Sequence, residues 1–175
     1  MRYTISDGWT TLSMLGEENG PSRRNRGRWT PSYEGLVASS ARASKTARSI
    51  RKTDTKAEVA LRRELWTRGL RYRKYAKGLP GNPDLVFPSR KVAVFVDGDF
   101  WHGRNWEKRR AALATGSNAT YWVAKIASNM DRDKRVNSAL RSLGWRVVRI
   151  WETDVFRHLG LAVSRVRAAL RATDE

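Results

Sequence analysis

The sequence predicts an α/β domain: a mixed β-sheet with helices on both faces. Three observations carry this. Amphipathic stretches at helical spacing alternate with short apolar or alternating runs, in the order helix, three strands, helix, strand, helix. One run, Val92-Ala93-Val94-Phe95-Val96, is apolar without interruption, as expected of a strand covered on both faces. Breakers such as Gly69, Gly78-Leu79-Pro80-Gly81-Asn82-Pro83 and Gly144 separate the segments.

The chain divides in two. Residues 1–52 are rich in Gly, Ser, Arg and Thr, with no sustained apolar period. They read as a basic, largely flexible DNA-binding arm, with a short helix near 36–48, or as a plain disordered leader. Residues 53–175 carry the patterned segments and form the folded domain. There Thr55-Lys56-Ala57-Glu58 matches a capping box, and Ala57, Leu61 and Leu65 recur every four residues. A helix over about 55–68 follows, closed by Gly69. Leu70 to Tyr75 alternates weakly and reads as a strand. Pro83 to Phe87 and Lys91 to Val96 are two further strands, split by Pro88-Ser89-Arg90. Residues 103–117 are basic and read as a loop or broken helix. Trp122, Ile126, Met130, Val136 and Leu140 give an apolar stripe to a helix over about 119–142. Trp145 to Trp151 alternates as a half-buried strand, and Leu161, Val163, Val166 and Leu170 mark a last helix over about 159–172.

Charge indicates the partner. Lys and Arg number 35 against 17 Asp and Glu, a formal net charge of +18 over 175 residues. Such an excess repels itself and calls for a polyanion, nucleic acid first and an anionic membrane surface second. No apolar run approaches the roughly 18 residues of a membrane span. No cysteine is present, which excludes disulfides and thiolate metal sites and fits a cytoplasmic, nucleoid-associated protein. Eight tryptophans are available, some of them to stack on bases.

The chemistry gathers where the apolar strand runs out. Asp97, Asp99 and His102 lie within six residues, around Gly98, Phe100 and Trp101. Asp84 opens the neighbouring strand. Each residue alone has a plainer reading: Asp84 as a strand-entry turn acid, Asp97 and Asp99 as turn acids, His102 as a packed ring. Glu58 is explained by capping. Together, carboxylates at adjoining strand ends suit Mg²⁺, which prefers hard oxygen donors and keeps room for water and phosphate. An imidazole with a pKa near 6.5 suits proton transfer at neutral pH. Phosphodiester hydrolysis is the reaction class these residues indicate.

Several segments, in order, resemble the very short patch repair endonucleases, nicking enzymes for T:G mismatches within the PD-(D/E)XK nuclease superfamily. They are Asp54-Thr55-Lys56-Ala57-Glu58, Leu79-Pro80-Gly81-Asn82-Pro83-Asp84-Leu85-Val86, Val94-Phe95-Val96-Asp97-Gly98-Asp99-Phe100-Trp101-His102, Tyr121-Trp122 with Lys125-Ile126 and Asn129, Arg132-Asp133, and Gly144-Trp145-Arg146-Val147. The resemblance implies a restriction-endonuclease-like sheet and Mg²⁺-dependent nicking of double-stranded DNA at a T:G mismatch left by deamination of 5-methylcytosine. It implies Asp84 as the central metal ligand, with the main-chain carbonyl of Val96 as a second. His102 becomes the general base or a phosphate-side proton donor, and Glu58, Asp97 and Asp133 the supporting acids. Phe100, Trp101 and Trp122 resemble the aromatics that wedge into the duplex. A cytosine-5 DNA methyltransferase system and mismatch-repair proteins are the implied partners.

The chain also departs from the family. Where members often bind a structural zinc, it has Gly103-Arg104-Asn105-Trp106 and Glu152-Thr153, so no zinc is expected and something else must brace that loop. Asp99 stands where cysteine is common and is either an added metal ligand or a solvated turn acid. Asp97 stands where some members have histidine. Two rival readings stay open: a restriction-type endonuclease that cuts matched or modified duplexes, and a non-catalytic DNA-binding module.

Overall fold

Helix α1 (Lys56–Thr67) begins where the sequence caps it. The Thr55 hydroxyl accepts from the Glu58 amide at 3.2 Å, and the Glu58 carboxylate accepts in return from the Thr55 amide. The helix buries Ala57, Leu61 and Leu65 almost completely. It is the first element of a computed structural model that describes residues 53–116 and 118–172. The basic arm expected over 1–52, with its short helix, lies outside the described residues.

Strands β1 (Arg73–Lys74), β2 (Leu85–Phe87), β3 (Val92–Asp97) and β4 (Arg146–Trp151) form one sheet in the order β1-β2-β3-β4. The first two pairings are antiparallel and β3–β4 is parallel, so the sheet is mixed. A parallel pair needs a crossover. Here α2 (Trp106–Ala114) and α3 (Ala119–Ser142) supply it. After β4 the chain turns directly into α4 (Glu152–Arg157) and α5 (Leu159–Arg171).

The uninterrupted apolar run of β3 has the predicted cause. Val92 and Val94 pack with Leu61 and Leu65 of α1, Val155 of α4, and Val163 and Val166 of α5. Ala93 and Phe95 face the other way, onto Leu140 and Val136 of α3. Each large aliphatic side chain so buried contributes about 1.5–3 kcal/mol. The sheet is therefore covered on both faces.

Three expectations are corrected. The strand read over 70–75 pairs only at Arg73–Lys74, because Tyr75 takes a left-handed conformation (φ 50°) and Leu70 folds back to the Leu65 carbonyl. The stretch 103–117 contains a regular helix, α2. It buries no residue, so it shows no apolar period. The short α4 was not anticipated; its only buried residue is Val155.

The turn between β3 and α2 is seated on α3. Gly103 is buried with φ 71°, and a Cβ there would come within 2.5 Å of the Met130 sulfur. Gly103→Ala is expected to lower unfolding free energy by about 1–3 kcal/mol, from backbone strain and overpacking together. A urea midpoint equal to that of the wild type would contradict this seating.

Candidate active site

Pro83 lacks an N–H and cannot extend a strand ladder. Accordingly the β2–β3 register ends at Leu85↔Val94, one residue after Asp84. Beyond that pair the strands part, and the Val96 amide donates not to a backbone carbonyl but to Asp84 Oδ2, at 2.7 Å. This bond fixes the Asp84 side chain in the opening. Burial raises the Asp84 pKa; the Val96 amide opposes, and the charges of Glu58 and Asp97 raise it further, to about 6. A carboxylate crowded by like charge is stabilised by a cation. With a main-chain carbonyl nearby on Val96, the donors are hard oxygens of the kind Mg²⁺ accepts. Among the described residues no group of three or more His, Cys, Asp or Glu side chains is arranged to hold a metal ion. Any ion here would thus rely on few protein ligands, as Mg²⁺ tolerates and zinc does not.

Glu58 is buried, and its carboxylate is largely occupied. It accepts from the amides of Asp54 and Thr55 and from the Thr55 hydroxyl, with Tyr75 Oη at 3.3 Å and Arg62 Nη1 at 3.9 Å. Capping explains its position, and its charge also acts on Asp84. Arg62, itself buried, binds Asp54 and the Tyr75 hydroxyl and ties the start of the domain to the edge of the sheet.

Asp97 and His102 meet on the other side. Asp97 is buried and takes a bidentate grip from Arg149, at 2.6 and 2.7 Å. His102 Nδ1 lies 2.6 Å from Asp133 Oδ2 and 3.6 Å from Asp97 Oδ1. Arg149 also reaches Asp133 Oδ1 at 3.0 Å. Burial works to raise the Asp133 carboxyl but is outweighed. The His102 hydrogen bond and the charges of His102, Arg149 and Arg132 leave it below the usual carboxylate range. Asp84, Glu58 and Asp97 thus share one field, and Asp97, Asp133 and His102 share contacts.

Arg149 was not foreseen. Its signal was available: a buried acid needs a cation, and Arg149 interrupts the apolar run of the adjacent strand. Asp99 turns elsewhere. It binds the Thr153 hydroxyl and lies 3.6 Å from Arg104, and its own amide donates to Glu152 at 3.0 Å. Arg104 in turn pairs with Asp154 at 2.6 Å. These contacts brace the turn after β3 against α4, at the segments where the resemblance puts zinc ligands. Phe100, Trp101 and Trp122 form a half-buried cluster, with centroids 5.1–5.9 Å apart, and Arg109 lies over Phe100.

A buried carboxylate crowded by acids, an imidazole anchored by a carboxylate and a strongly basic chain point to a class, the nucleases that hydrolyse phosphodiesters. Sequence relatives narrow it. Residues 37–108 match the family model described as DNA mismatch endonuclease Vsr. The type II nicking enzyme V.NmeDIP of Neisseria meningitidis serogroup C is 43% identical over 127 residues, 73% of this chain and 84% of its own. The type II nicking enzyme V.HpaIIP of Haemophilus parainfluenzae is 44% identical over 110 residues, 63% of this chain and 77% of its own. DNA mismatch endonuclease Vsr of Escherichia coli (strain K12) is 35% identical over 116 residues, 66% of this chain and 72% of its own. The chain belongs to the Vsr family and is a strand-nicking DNA endonuclease. No helix among the described residues is long and apolar enough to cross a membrane.

The Asp84 environment predicts a pH effect. Its folded pKa of about 6 exceeds the ordinary 3.8, so ionisation costs stability above pH 6, and the cost fades as pH falls from 6 towards 4. In metal-free buffer Asp84→Asn is expected to stabilise the domain by up to about 3 kcal/mol at pH 7.5, an advantage lost by about pH 4. A variant no more stable than wild type at pH 7.5 would contradict the crowding at Asp84.

Proposed function

We propose that the chain nicks one strand of duplex DNA at a T:G mismatch arising from deamination of 5-methylcytosine, with Mg²⁺ as cofactor. The observation that carries the hydrolytic part is Asp84, held by the Val96 amide and destabilised by burial and by neighbouring carboxylates. Asp84 and the main-chain carbonyl of Val96 would hold the ion. When bound, Mg²⁺ would supply charge stabilisation to the scissile phosphate and the departing oxygen. Asp99 is outside this set, since its carboxylate is committed to Thr153 and Arg104.

The proton is handled by His102. Its Nδ1 is committed to Asp133, which leaves Nε2 to meet a water or a substrate oxygen. Glu58 and Asp97 set the charge around Asp84, and Asp133 orients the imidazole. Phe100, Trp101 and Trp122 would enter the duplex beside the mispair. Unstacking costs a few kcal/mol per step and is cheapest at a mismatch, which is a physical source of selectivity. The arm at 1–52 would add phosphate contacts without sequence preference. A deaminated 5-methylcytosine presupposes a cytosine-5 DNA methyltransferase acting on the same DNA, and the nick would be passed to mismatch-repair proteins.

A second reading has one observation in its favour. Several relatives are named as type II nicking enzymes rather than as mismatch endonucleases. Nicking of a matched or methylated duplex is that alternative. A labelled panel separates the two readings. With Mg²⁺, the T:G duplex is expected to be nicked in one strand and the T:A control to stay intact; equal nicking of matched duplexes would establish the alternative. Asp84→Ala is expected to abolish cleavage while leaving affinity for the duplex largely unchanged; if wild type binds without cleaving, the chain is a binding module.

Trp101→Ala separates wedge from core. It is expected to lower the ratio of T:G to T:A cleavage more than it lowers DNA affinity, because phosphate contacts supply most non-specific binding. An unchanged ratio would make Trp101 a packing residue.

A further inference from the structure

Arg149 has no part in the reaction so far derived. It sits in β4 between Val148 and Ile150, both buried, where an unpaired guanidinium would be costly. Its donors are turned to protein side chains: Asp97 on β3, Asp133 on α3 through Nη2 at 3.0 Å, and Asn137 on α3 through Nη1 at 3.2 Å, with Nη2 also 3.4 Å from His102 Nδ1. The guanidinium lies 4.7 Å over the Phe95 ring, which limits its movement from the side of the sheet. Burial works against its charge and is outweighed by Asp97 and Asp133, so the guanidinium is a fixed cation.

Two carboxylates face His102 Nδ1, and one nitrogen can serve only one of them well. Asp133 Oδ2 is at 2.6 Å and Asp97 Oδ1 at 3.6 Å. What separates them is Arg149. It engages both Asp97 oxygens, so Asp97 is no competitor for the ring. It also holds Asp133 Oδ1, which leaves Oδ2 aimed at the imidazole. We propose that Arg149 is a positioning residue of the nicking reaction: anchored on Asp97, it selects Asp133 as the partner of His102 Nδ1 and thereby keeps Nε2 towards the DNA. The role goes with Asp97, whose buried carboxylate needs a cation to occupy it, and Arg149 is the cation. A lysine would not serve, because the planar fork is what spans two carboxylates at once.

The proposal rests on the reading of His102 as the group that handles the proton, and the test keeps the two apart. Single-turnover nicking with Mg²⁺ is measured on the full chain with the duplex that wild type nicks best, alongside duplex affinity without metal. Arg149→Gln is expected to lower the rate constant about 100-fold, the scale of a misplaced general base, with affinity within about twofold because the guanidinium is engaged by Asp97, Asp133 and Asn137. Arg149→Lys is expected to recover little of the loss. In a His102→Asn background the further loss from Arg149→Gln should shrink below about threefold, since residues acting as one unit are not additive.

Equal losses in both backgrounds would overturn the proposal, because Arg149 would then act independently of His102. A fall in affinity matching the fall in rate would overturn it too, by making Arg149 a DNA contact. An unimpaired His102→Asn would refute the role of His102 itself, and the proposal with it. If Arg149→Gln does not fold, Arg149→Lys takes its place, since it keeps the buried charge and loses the fork. With a cooperative thermal transition retained, it should show about the same 100-fold loss; a wild-type rate from it would overturn the proposal.

Discussion

The hydrogen bond from the Val96 amide to Asp84, at 2.7 Å, is the contact on which the site depends. Pro83 cannot donate to the ladder, so β2 and β3 part after Leu85↔Val94. Where a backbone pair would otherwise sit, a carboxylate takes the amide. The sheet thus opens without leaving a donor unsatisfied, and the opening carries an acid. The elements around it serve that opening. The first turn of α1 brings Glu58, the end of β3 brings Asp97, and the turn after β3 brings His102 to Asp133 on α3.

Charge around the opening is unevenly balanced. Glu58 is held by its capping bonds with Arg62 nearby, and Asp97 is gripped on both oxygens by Arg149. Asp84 receives one amide and the fields of its two acidic neighbours. Burial and like charge together leave a less stable carboxylate there. Destabilisation of this kind concentrates where a ligand relieves it.

Much of this was legible in local pattern. The capping box marked α1 and the apolar run marked β3. The stripe from Trp122 to Leu140 marked α3, although only Ile126 and Leu140 are fully buried. Asp84, Asp97, His102 and Asp133 stood out as acids and imidazole at strand ends or in motif segments. What escaped was either featureless or remote. Helix α2 buries nothing, so no period betrays it. The grip of Arg149 on Asp97 joins residues 52 apart in sequence and depends on the β3–β4 register, which no local pattern encodes. The spacing of Asp99 left it open between a metal ligand and a turn acid; its partner Thr153 lies 54 residues away and is its neighbour because α4 folds against the turn.

The proposed cation site lies where β2 and β3 part, between Asp84 and Val96. Site-directed oxidation tests it without altering the chain: Fe²⁺ replaces Mg²⁺, ascorbate and peroxide generate radicals at the ion, and the backbone cuts are mapped by mass spectrometry. The account predicts cuts clustered at residues 83–85 and 95–97 that excess Mg²⁺ suppresses. Cuts clustered instead at Asp99 and residues 152–154 would place the ion on the turn and contradict it.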